Sequence, residues 1–410
     1  MREENTQNLN KTIDLSEMNR SRVLKLIYKY SGITRAEIAN LTGLTEAGIS
    51  KIVSSLIRAG VVRNGDYVSG KMGRRAIGLE INTSKFEVLA MKLTRSELMV
   101  AVFTLSSELV VQETIKINRE SESDFILELM SQKIQEYVAK YSFIRAIGVS
   151  VPGPFDSMAN KILGVTRFGK FNQIDLNALF NLDVDLPIYL IHDANAGVMA
   201  EWLLNEEYYI EDSTLAYYLV GEGVGLGIIS NGKILEGERG IAAEIGHVSI
   251  NFQGGQCNCG NIGCLELYCS ALQFVDRAKS LAATFPNSSI SYLDEISPQN
   301  IFKLAEEGDE LAIKLTKEVG RYIGLGAVNI VNAYAPKEII IGDVMANGGD
   351  ILLNEVKSLV DERSFSGLAY KVNIRYEDKD VDRILLGAAS IAIDNCLENV
   401  ELLESISLAN

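Results

Sequence analysis

A cluster of cysteines in the second half of this chain constrains its folding more than any other feature. Four of the five cysteines, Cys257, Cys259, Cys264 and Cys269, lie in one short segment, and His247, one of only two histidines, lies just upstream. Thiolates and imidazoles are the usual ligands of zinc, and a shared ion closes the segment between them into a loop. The competing interpretations are reduced cysteines in a hydrophobic core and a catalytic or redox centre. Cysteines separated by one residue, with glycines around them, are not typical of a core, so the pattern favours a metal site.

The chain is long enough for several domains and is rich in apolar residues. Its 410 residues exceed what one hydrophobic core usually serves, which predicts two or three domains, and 47% of them are hydrophobic. No apolar run is long and uncharged enough to span a bilayer, and residues 1–10 lack the apolar core of a signal peptide. We therefore expect a globular cytoplasmic protein with no membrane partner, where clustered cysteines bind metal or react more often than they form disulfides.

The charge of the chain is distributed unevenly. Residues 1–80 carry 13 Lys and Arg against 8 Asp and Glu, a net charge of +5, whereas residues 81–410 carry 26 against 46, a net charge of −20. An acidic body repels nucleic acid, and a basic N-terminal module attracts it. Chance variation in surface charge explains the asymmetry equally well, so the charge alone does not decide between the two.

Two helices with clear capping signals follow each other near the N-terminus. Thr34 begins the first, with Glu37 three residues later as in a capping box, and Gly43 ends it. Thr45 begins the second, and a supporting helix is predicted upstream of both. Two capped helices joined by a tight glycine turn are typical of a helix-turn-helix, whose second helix presents short polar side chains to base edges and phosphates.

A β-hairpin wing is predicted over residues 61–79. It has a polar turn at 64–66 and three cations, Lys71, Arg74 and Arg75, near its tip, where they suit a phosphate backbone or a minor groove. The alternative is a small helical domain that binds protein, but the wing and the local positive charge favour DNA binding. The candidate DNA contacts are Thr34, Arg35, Thr45, Glu46, Ser50, Lys51, Ser54, Lys71, Arg74 and Arg75.

From residue 86 onward, strands that alternate with helices predict a pair of α/β domains. In such folds ligands lie beyond the carboxyl ends of strands, and those ends carry Pro152, Asp193 and the glycine-rich segment 221–225. The predicted strands are 86–93, 98–105, 109–117, 145–151, 188–191, 215–220, 226–230 and 338–341, and the main predicted helices are 123–141, 312–335, 350–359 and 384–396.

Five motifs of the body occur in the order found in one protein family. They are Gly148-Val149-Ser150-Val151-Pro152-Gly153-Pro154, Asp193-Ala194-Asn195-Ala196, Gly221-x-Gly223-Val224-Gly225-x-Gly227, Glu244-Ile245-Gly246-His247 and Cys257-x-Cys259-Gly260-x-x-Gly263-Cys264-Leu265-Glu266. Together with the winged helix, they make the chain resemble the ROK family (repressors, open reading frames, kinases), in its regulator branch. The last motif is highly specific, whereas the glycine motif alone is weak.

The resemblance implies a three-part fold. A winged helix-turn-helix of α+β class over 1–80 precedes two α/β lobes of the actin-like ATPase and sugar kinase (ribonuclease H-like) fold. The first lobe is expected at 86–191 together with 384–410. The second lobe, with the sugar and metal sites, is expected at 192–383.

The resemblance also implies the residues of both sites. A structural Zn²⁺ would be held by His247, Cys257, Cys259 and Cys264, a closed tetrahedral set that leaves no position for water, with Cys269 as a buried core residue. His247 would contact zinc through one ring nitrogen and sugar through the other. One departure is His192, which stands where the family usually has asparagine. The implied sugar-binding residues are His192, Asp193, Glu244, His247 and Glu266.

Three departures from the family's kinases indicate that ATP is not bound and that the protein is not an enzyme. The first phosphate loop, expected at 91–96, lacks its aspartate and glycine, Glu222 replaces a threonine of the second loop, and Asp343 replaces a glycine near the nucleotide. A phosphate loop needs glycine so that backbone N–H groups approach the oxygens, and a carboxylate repels polyphosphate. Asp193, the general base in kinases, is then expected to act only as a hydrogen-bond acceptor.

The function implied by the resemblance is a sugar-responsive repressor of carbohydrate uptake or catabolism genes. Its expected partners are a palindromic double-stranded operator, a small sugar (xylose, glucose or N-acetylglucosamine by resemblance) and a second copy of the chain, as a homodimer or a dimer of dimers. The alternatives are an ATP-dependent sugar kinase of the same family and a constitutive DNA-binding protein with a vestigial cleft.

Overall fold

The computed structural model describes residues 2–69, 75–118, 121–163, 174–205, 213–365 and 371–404, with side chains from residue 15 onward except those of residues 68, 69, 75 and 404. Within these ranges, no helix is both long and apolar enough to cross a membrane. The N-terminal module consists of α1 (Arg2–Lys29), α2 (Arg35–Thr42), α3 (Glu46–Arg58), β1 (Val62–Ser69) and β2 (Arg75–Ile81).

Local capping explains where the two central helices of this module begin. The Thr34 hydroxyl accepts a hydrogen bond from the Glu37 amide at 3.3 Å, and the Glu37 carboxylate accepts one from the Thr34 amide at 2.9 Å. Gly43 ends α2 in the left-handed region at φ 72°, and the Thr45 hydroxyl caps α3 by accepting from the Gly48 amide at 3.1 Å. The predicted starts of both helices are confirmed.

The predicted turn at residues 64–66 is wrong, because β1 runs through it. The partner of Asn64 is Leu79 and the partner of Tyr67 is Ile77, so β1 contains one extra residue and forms a bulge. Gly65 lies inside this bulge, where a β-carbon would come within 2.4 Å of Glu80 Oε1. The Asn-Gly-Asp sequence therefore lies in a bulge, where the missing side chain of Gly65 leaves room for that of Glu80.

The first lobe is built on a sheet of order β10-β6-β3-β4-β5. One face of this sheet packs against α4 (Ser123–Lys140), and its other face packs toward the centre of the molecule. The three-stranded sheet β7-β8-β9 lies beside it. The strands are β3 (Glu87–Leu93), β4 (Glu97–Thr104), β5 (Leu109–Lys116), β6 (Ile144–Val151), β7 (Phe155–Asp156), β8 (Lys161–Ile162), β9 (Ile174–Asp175) and β10 (Ile188–His192).

The second lobe has a sheet of order β13-β12-β11-β14-β15, with most of its helices on one face. Its strands are β11 (Thr214–Val220), β12 (Val224–Ser230), β13 (Lys233–Ile234), β14 (Glu338–Gly342) and β15 (Asn373–Tyr376). Its helices are α6 (Glu266–Cys269), α7 (Ala271–Ala282), α8 (Pro298–Glu306), α9 (Glu310–Tyr334) and α10 (Gly349–Arg363), with short 3-10 turns at Ile245–His247, Ser289–Tyr292 and Asp343–Asn347.

Two helices, α5 (Asp193–Leu204) and α11 (Arg383–Glu398), fill the space between the two sheets, and a last turn, α12 (Glu401–Glu404), follows. The backbones of α5 and α11 are in contact, because a β-carbon on Gly387 would lie 1.9 Å from the Ala196 carbonyl oxygen. Glycine is therefore required there. The sheets lie on either side of the predicted lobe boundary at residue 192, but α5 packs against strands of both, so the boundary stays a prediction.

The N-terminal module is anchored to these two central helices. Lys25 of α1 forms ion pairs with Asp394 at 2.8 Å and Glu398 at 2.9 Å on α11. Lys29, the last residue of α1, is buried and donates to the Asn205 carbonyl at 2.7 Å, just beyond the end of α5. Apolar residues of the module and of both helices form one continuous core.

Candidate functional site

A cavity of about 250 Å³ opens between the lobes, at the carboxyl ends of β6, β10 and β11. Strand ends of this kind are where α/β folds place their ligands. The five residues predicted to bind sugar all line this cavity: His192, Asp193, Glu244, His247 and Glu266.

The side chains of His192 and Asp193 lie against each other where β10 passes into α5. His192 Nε2 lies 3.0 Å from Asp193 Oδ1, which also accepts a hydrogen bond from the Ala194 amide at 2.7 Å. A β-carbon on Gly153 would lie 2.1 Å from His192 Nε2, so the glycine makes room for the imidazole. The histidine that departs from the family pattern thus stands next to the Asp193 carboxylate, which the Ala194 amide helps to orient.

Glu244 and Glu266 add two further carboxylates to the wall of the cavity. Glu266, the first residue of α6, is buried and accepts a hydrogen bond from the Val224 amide at 3.1 Å. Burial raises the pKa of the Glu244 carboxyl, while His192 and His247 oppose that rise. A wall of carboxylate oxygens suits a ligand that donates several hydroxyl hydrogens.

The residues predicted to bind metal come together at one edge of this cavity. One candidate ligand atom from each of His247, Cys257, Cys259 and Cys264 lies within 4.8 Å of every other. His247 Nδ1 is 3.8 Å from Cys257 Sγ, and Cys259 Sγ is 3.6 Å from Cys264 Sγ. Two sulfurs about 2.3 Å from a shared tetrahedral ion lie about 3.8 Å apart, so the geometry fits one ion. Cys269 is buried and donates to the Leu265 carbonyl instead.

The backbone of the cysteine loop is arranged by its own hydrogen bonds. The Cys257 amide donates to the Asn261 carbonyl at 2.8 Å, and the Gly260 amide donates to the Cys257 carbonyl at 2.9 Å. Gly263 has a φ of 68°, and a β-carbon there would lie 1.7 Å from the Asn251 carbonyl oxygen. The glycines among the cysteines therefore allow the tight turns that bring the ligands together.

Charged side chains that pair with one another occupy the positions where the resemblance predicts the kinase phosphate loops. Lys92, at the end of β3, lies 2.7 Å from Asp382, and Arg95 in the next turn lies 3.3 Å from Glu222. Asp343 has a φ of 64°, a left-handed conformation that is uncommon for residues other than glycine, and its carboxylate fills the space beside Gly221.

Asp343 belongs to a partly buried acidic cluster at this position. Burial raises the pKa of Asp343 and raises the pKa of Glu377 to about 7. Glu377 accepts hydrogen bonds from the Asp343 amide and the Tyr217 hydroxyl. The sequence showed Asp343 but no signal for Lys92, Arg95, Asp382 or Glu377, because their partners lie far away along the chain.

The exposed face of α3 and its N-cap carry five of the ten candidate DNA contacts. Thr34 is an exception, because it is buried and its hydroxyl donates to Glu37 at 2.7 Å, so the structure assigns it a capping role. Lys71 and Arg74 lie outside the described residues, as does the side chain of Arg75, and Arg35 is half-buried. The exposed candidates on and before α3 are Thr45, Glu46, Ser50, Lys51 and Ser54.

Comparison with known proteins gives matches along nearly the whole chain. The ROK family model matches residues 88–395, and a winged helix-turn-helix DNA-binding model matches residues 19–63. The xylose repressor of Caldicellulosiruptor bescii is 30% identical over 390 residues, which cover 93% of this chain and 97% of that protein.

Solved structures match over both parts of the fold. The crystal structure of a ROK family transcriptional regulator, a homolog of the E. coli MLC protein, has a TM-score of 0.82 and 26% identity and covers 95% of this chain and 100% of that one. A ROK family glucokinase from Streptomyces griseus, solved with glucose and AMPPNP, has a TM-score of 0.65 and 22% identity over 75% of this chain and 99% of its own. The second likeness concerns the two-lobed fold alone.

The ligand geometry predicts that each chain binds one metal ion. Cys259→Ser, which removes one of the four ligands, is expected to abolish stoichiometric binding, because three remaining ligands hold an ion much more weakly. Cys269→Ser is the matched control, since Cys269 lies outside the group, and it should keep one ion per chain. Elemental analysis of the purified proteins measures this, and equal metal content in wild type and Cys259→Ser would contradict the assignment.

Proposed function

The chain belongs to the ROK family, and on that premise we propose that it is a DNA-binding transcriptional repressor whose operator affinity changes when a sugar binds between its lobes. The observation that carries this proposal is the placement of α5. Its first residue, Asp193, lines the sugar cavity, and the carbonyl just beyond its last turn holds Lys29 of the DNA-binding module.

The cavity suits a polyol. Asp193, Glu244 and Glu266 offer carboxylate oxygens that accept hydrogen bonds from neighbouring hydroxyls, and His192 stands next to the first of them. His247 faces the cavity as well as the cysteines. The similar xylose repressor makes xylose the first sugar to test.

The metal proposed for the cysteine cluster is a structural zinc ion. Three sulfurs and one nitrogen are the donor set that zinc prefers in closed sites, and they leave no position for a reactive water. When bound, the ion would fix the orientation and tautomer of the His247 ring, with Nδ1 toward the cysteines. The ring nitrogen that remains would then face the sugar.

We do not expect ATP to bind or phosphate to be transferred. The Asp343 carboxylate stands beside Gly221, where a nucleotide phosphate would need uncharged backbone, and Lys92 is already paired with Asp382. Carboxylates at this position repel polyphosphate. An active sugar kinase remains the second candidate, because Asp193 keeps the place of the catalytic base and a glucokinase shares the fold.

The proposed coupling runs along α5. This helix is buried from Ala194 to Leu203 and spans about 18 Å at 1.5 Å per residue. A small shift of Asp193 on sugar binding moves the helix as a unit, because both sheets and α11 pack against it. Lys29 carries the shift into α1, and α1 packs against the recognition helix α3.

The DNA partner proposed is a palindromic operator bound by two copies of the chain, as a homodimer or a dimer of dimers, near genes for carbohydrate uptake or catabolism. Two recognition helices related by a twofold axis read half-sites one helical turn apart, or a multiple of it. A change in the relative placement of the two modules then changes the match to the half-site spacing.

The direct test is operator binding measured with and without each sugar. A duplex selected from a random library on the purified protein serves as the operator, and fluorescence anisotropy reports its affinity. We expect one sugar, xylose first, to weaken binding on the order of 10- to 100-fold, which corresponds to about 1.4–2.8 kcal/mol of coupling. No ADP should be released from ATP with any sugar of the panel. ADP release at a steady catalytic rate would support the kinase instead.

Lys29→Met tests the coupling along α5. The variant should bind sugar as the wild type does, but the effect of sugar on operator affinity should shrink by roughly 0.5–2 kcal/mol, because the contact with the end of α5 is lost. Lys133→Met, which removes an ion pair on α4, is the matched control. An unchanged sugar effect in Lys29→Met, with thermal melting that shows a folded protein, would remove this residue from the coupling.

A further inference from the structure

We propose that Arg95 is a sugar-binding residue that determines which effector the cleft accepts, because its guanidinium group holds a pair of neighbouring oxygens of the ligand. No motif of the family points to this residue in the sequence. The inference rests on the function proposed above and adds a donor to a site whose other assigned residues are mainly acceptors.

Arg95 enters the cavity from the first lobe. It lies in the turn between β3 and β4, where kinases of this fold have their first phosphate loop, and it lines the cavity that holds the five predicted sugar-binding residues. Only 9% of the residue is exposed. A β-carbon added to Gly223 would lie 3.3 Å from Arg95 Nη2 and 3.3 Å from a carboxylate oxygen of Glu266. The guanidinium group is therefore close to a predicted sugar contact.

The hydrogen-bonding capacity of this arginine is largely unused. Nη1 donates to Glu222 at 3.3 Å, whereas the buried Nε has no partner among the residues that the structure describes. A buried N–H group without an acceptor is unfavourable, and burial of a charged group without full pairing is more so. Because Arg95 lines the cavity, a ligand that brings oxygen acceptors to this side would add partners to its guanidinium group.

The geometry of a guanidinium group specifies the chemistry of the ligand. Its planar array of N–H groups binds two oxygens at once, so it suits two neighbouring hydroxyl groups of a sugar or two oxygens of a phosphate ester. The nearest other cation, Lys92, is occupied by Asp382 at 2.7 Å. Asp193, Glu244 and Glu266 bind hydroxyl hydrogens, and Arg95 supplies hydrogens to the oxygens on another part of the ring.

The charge of the cavity indicates whether these oxygens belong to a free sugar or to a phosphate ester. Among the lining residues that the structure describes, two cations, Lys92 and Arg95, face six carboxylates: Glu97, Asp193, Glu222, Glu244, Glu266 and Asp343. A phosphate ester would enter this negative surrounding and displace Glu222 from Arg95. Hydroxyl groups of an uncharged sugar carry no such penalty, so the free sugar is the expected ligand.

The experiment compares Arg95→Gln and Arg95→Lys with wild type by calorimetric titration. The ligands are xylose, glucose and N-acetylglucosamine, each also as its phosphate ester. For whichever ligand binds wild type, Arg95→Gln should bind roughly ten- to a hundredfold more weakly, and Arg95→Lys should fall between the two. Arg277→Gln is the matched control, because Arg277 forms an exposed ion pair with Glu318 and does not line the cavity, and the sugar affinity of this variant should be unchanged.

Deoxy sugars separate direct contact from a structural role. A deoxy analogue that lacks the hydroxyl held by Arg95 should bind wild type about as weakly as Arg95→Gln binds the parent sugar, and Arg95→Gln should lose little more with that analogue. Independent losses for every analogue would overturn the direct contact. Thermal melting like that of the wild type shows that Arg95→Gln is folded.

The outcomes also separate this inference from the proposed function. Binding of a sugar to Arg95→Gln within twofold of wild type overturns the role of Arg95 and leaves the proposed function intact. A wild-type protein that binds no member of the panel overturns both. Tighter binding of the phosphate ester by wild type, lost in Arg95→Gln, keeps Arg95 as the contact and replaces the free sugar by its ester.

Discussion

The close packing of α5 against α11 is the contact on which the rest of the structure depends. A β-carbon at Gly387 would lie 1.9 Å from the Ala196 carbonyl, so the two helices touch through their backbones. No residue larger than glycine fits at position 387. Both sheets and the N-terminal module pack on this pair. The sugar cavity lies at one end of α5 and the anchor of the DNA-binding module at the other. A well-packed helix between two sites transmits displacement better than a loop does.

The metal cluster and the sugar cavity are linked through a single side chain. His247 lies among the cysteines through Nδ1 and also lines the cavity. The cysteine loop separates Glu244 from Glu266, so a bound ion would also hold the two carboxylates at a fixed spacing. A structural metal ion in this place would stabilise the binding site without taking part in any reaction. The feature that constrains the folding of the chain most thus also supports the site on which its proposed function depends.

Local and periodic features of the fold were predictable from the sequence, and non-local ones were not. Capping residues such as Thr45 set helix starts within a few positions, and short apolar runs identified the strands around Ile147 and Ile339 correctly. Asn64 to Asp66 was misread because a bulge and a turn use the same residues. The helices Ala271–Ala282 and Pro298–Glu306 were not predicted, although Ser270 and Ser297 cap them. The strand Asn373–Tyr376 is too short and too exposed to show alternation.

In the candidate site, too, the local motifs were predictable from the sequence and the contacts between distant residues were not. Motifs with fixed spacing identified Cys257, Cys259 and Cys264, because ligands of one ion must be close in sequence when they share a loop. The ion pairs of Lys92 and Arg95 join residues far apart along the chain, and no local pattern marks such pairs. The pairing of His192 with Asp193 was also missed, since sequence neighbours show nothing about side-chain orientation.

The proposal that α5 couples sugar binding to operator binding can be tested through the reciprocity between the two ligands. If sugar and operator bias the same motion of α5, each must change the affinity of the other by the same factor. Calorimetric titration of the sugar into the protein, free and saturated with operator, measures this factor from the side of the sugar. We predict that operator weakens sugar binding as strongly as sugar weakens operator binding, on the order of 10- to 100-fold. Equal sugar affinity with and without operator would contradict it.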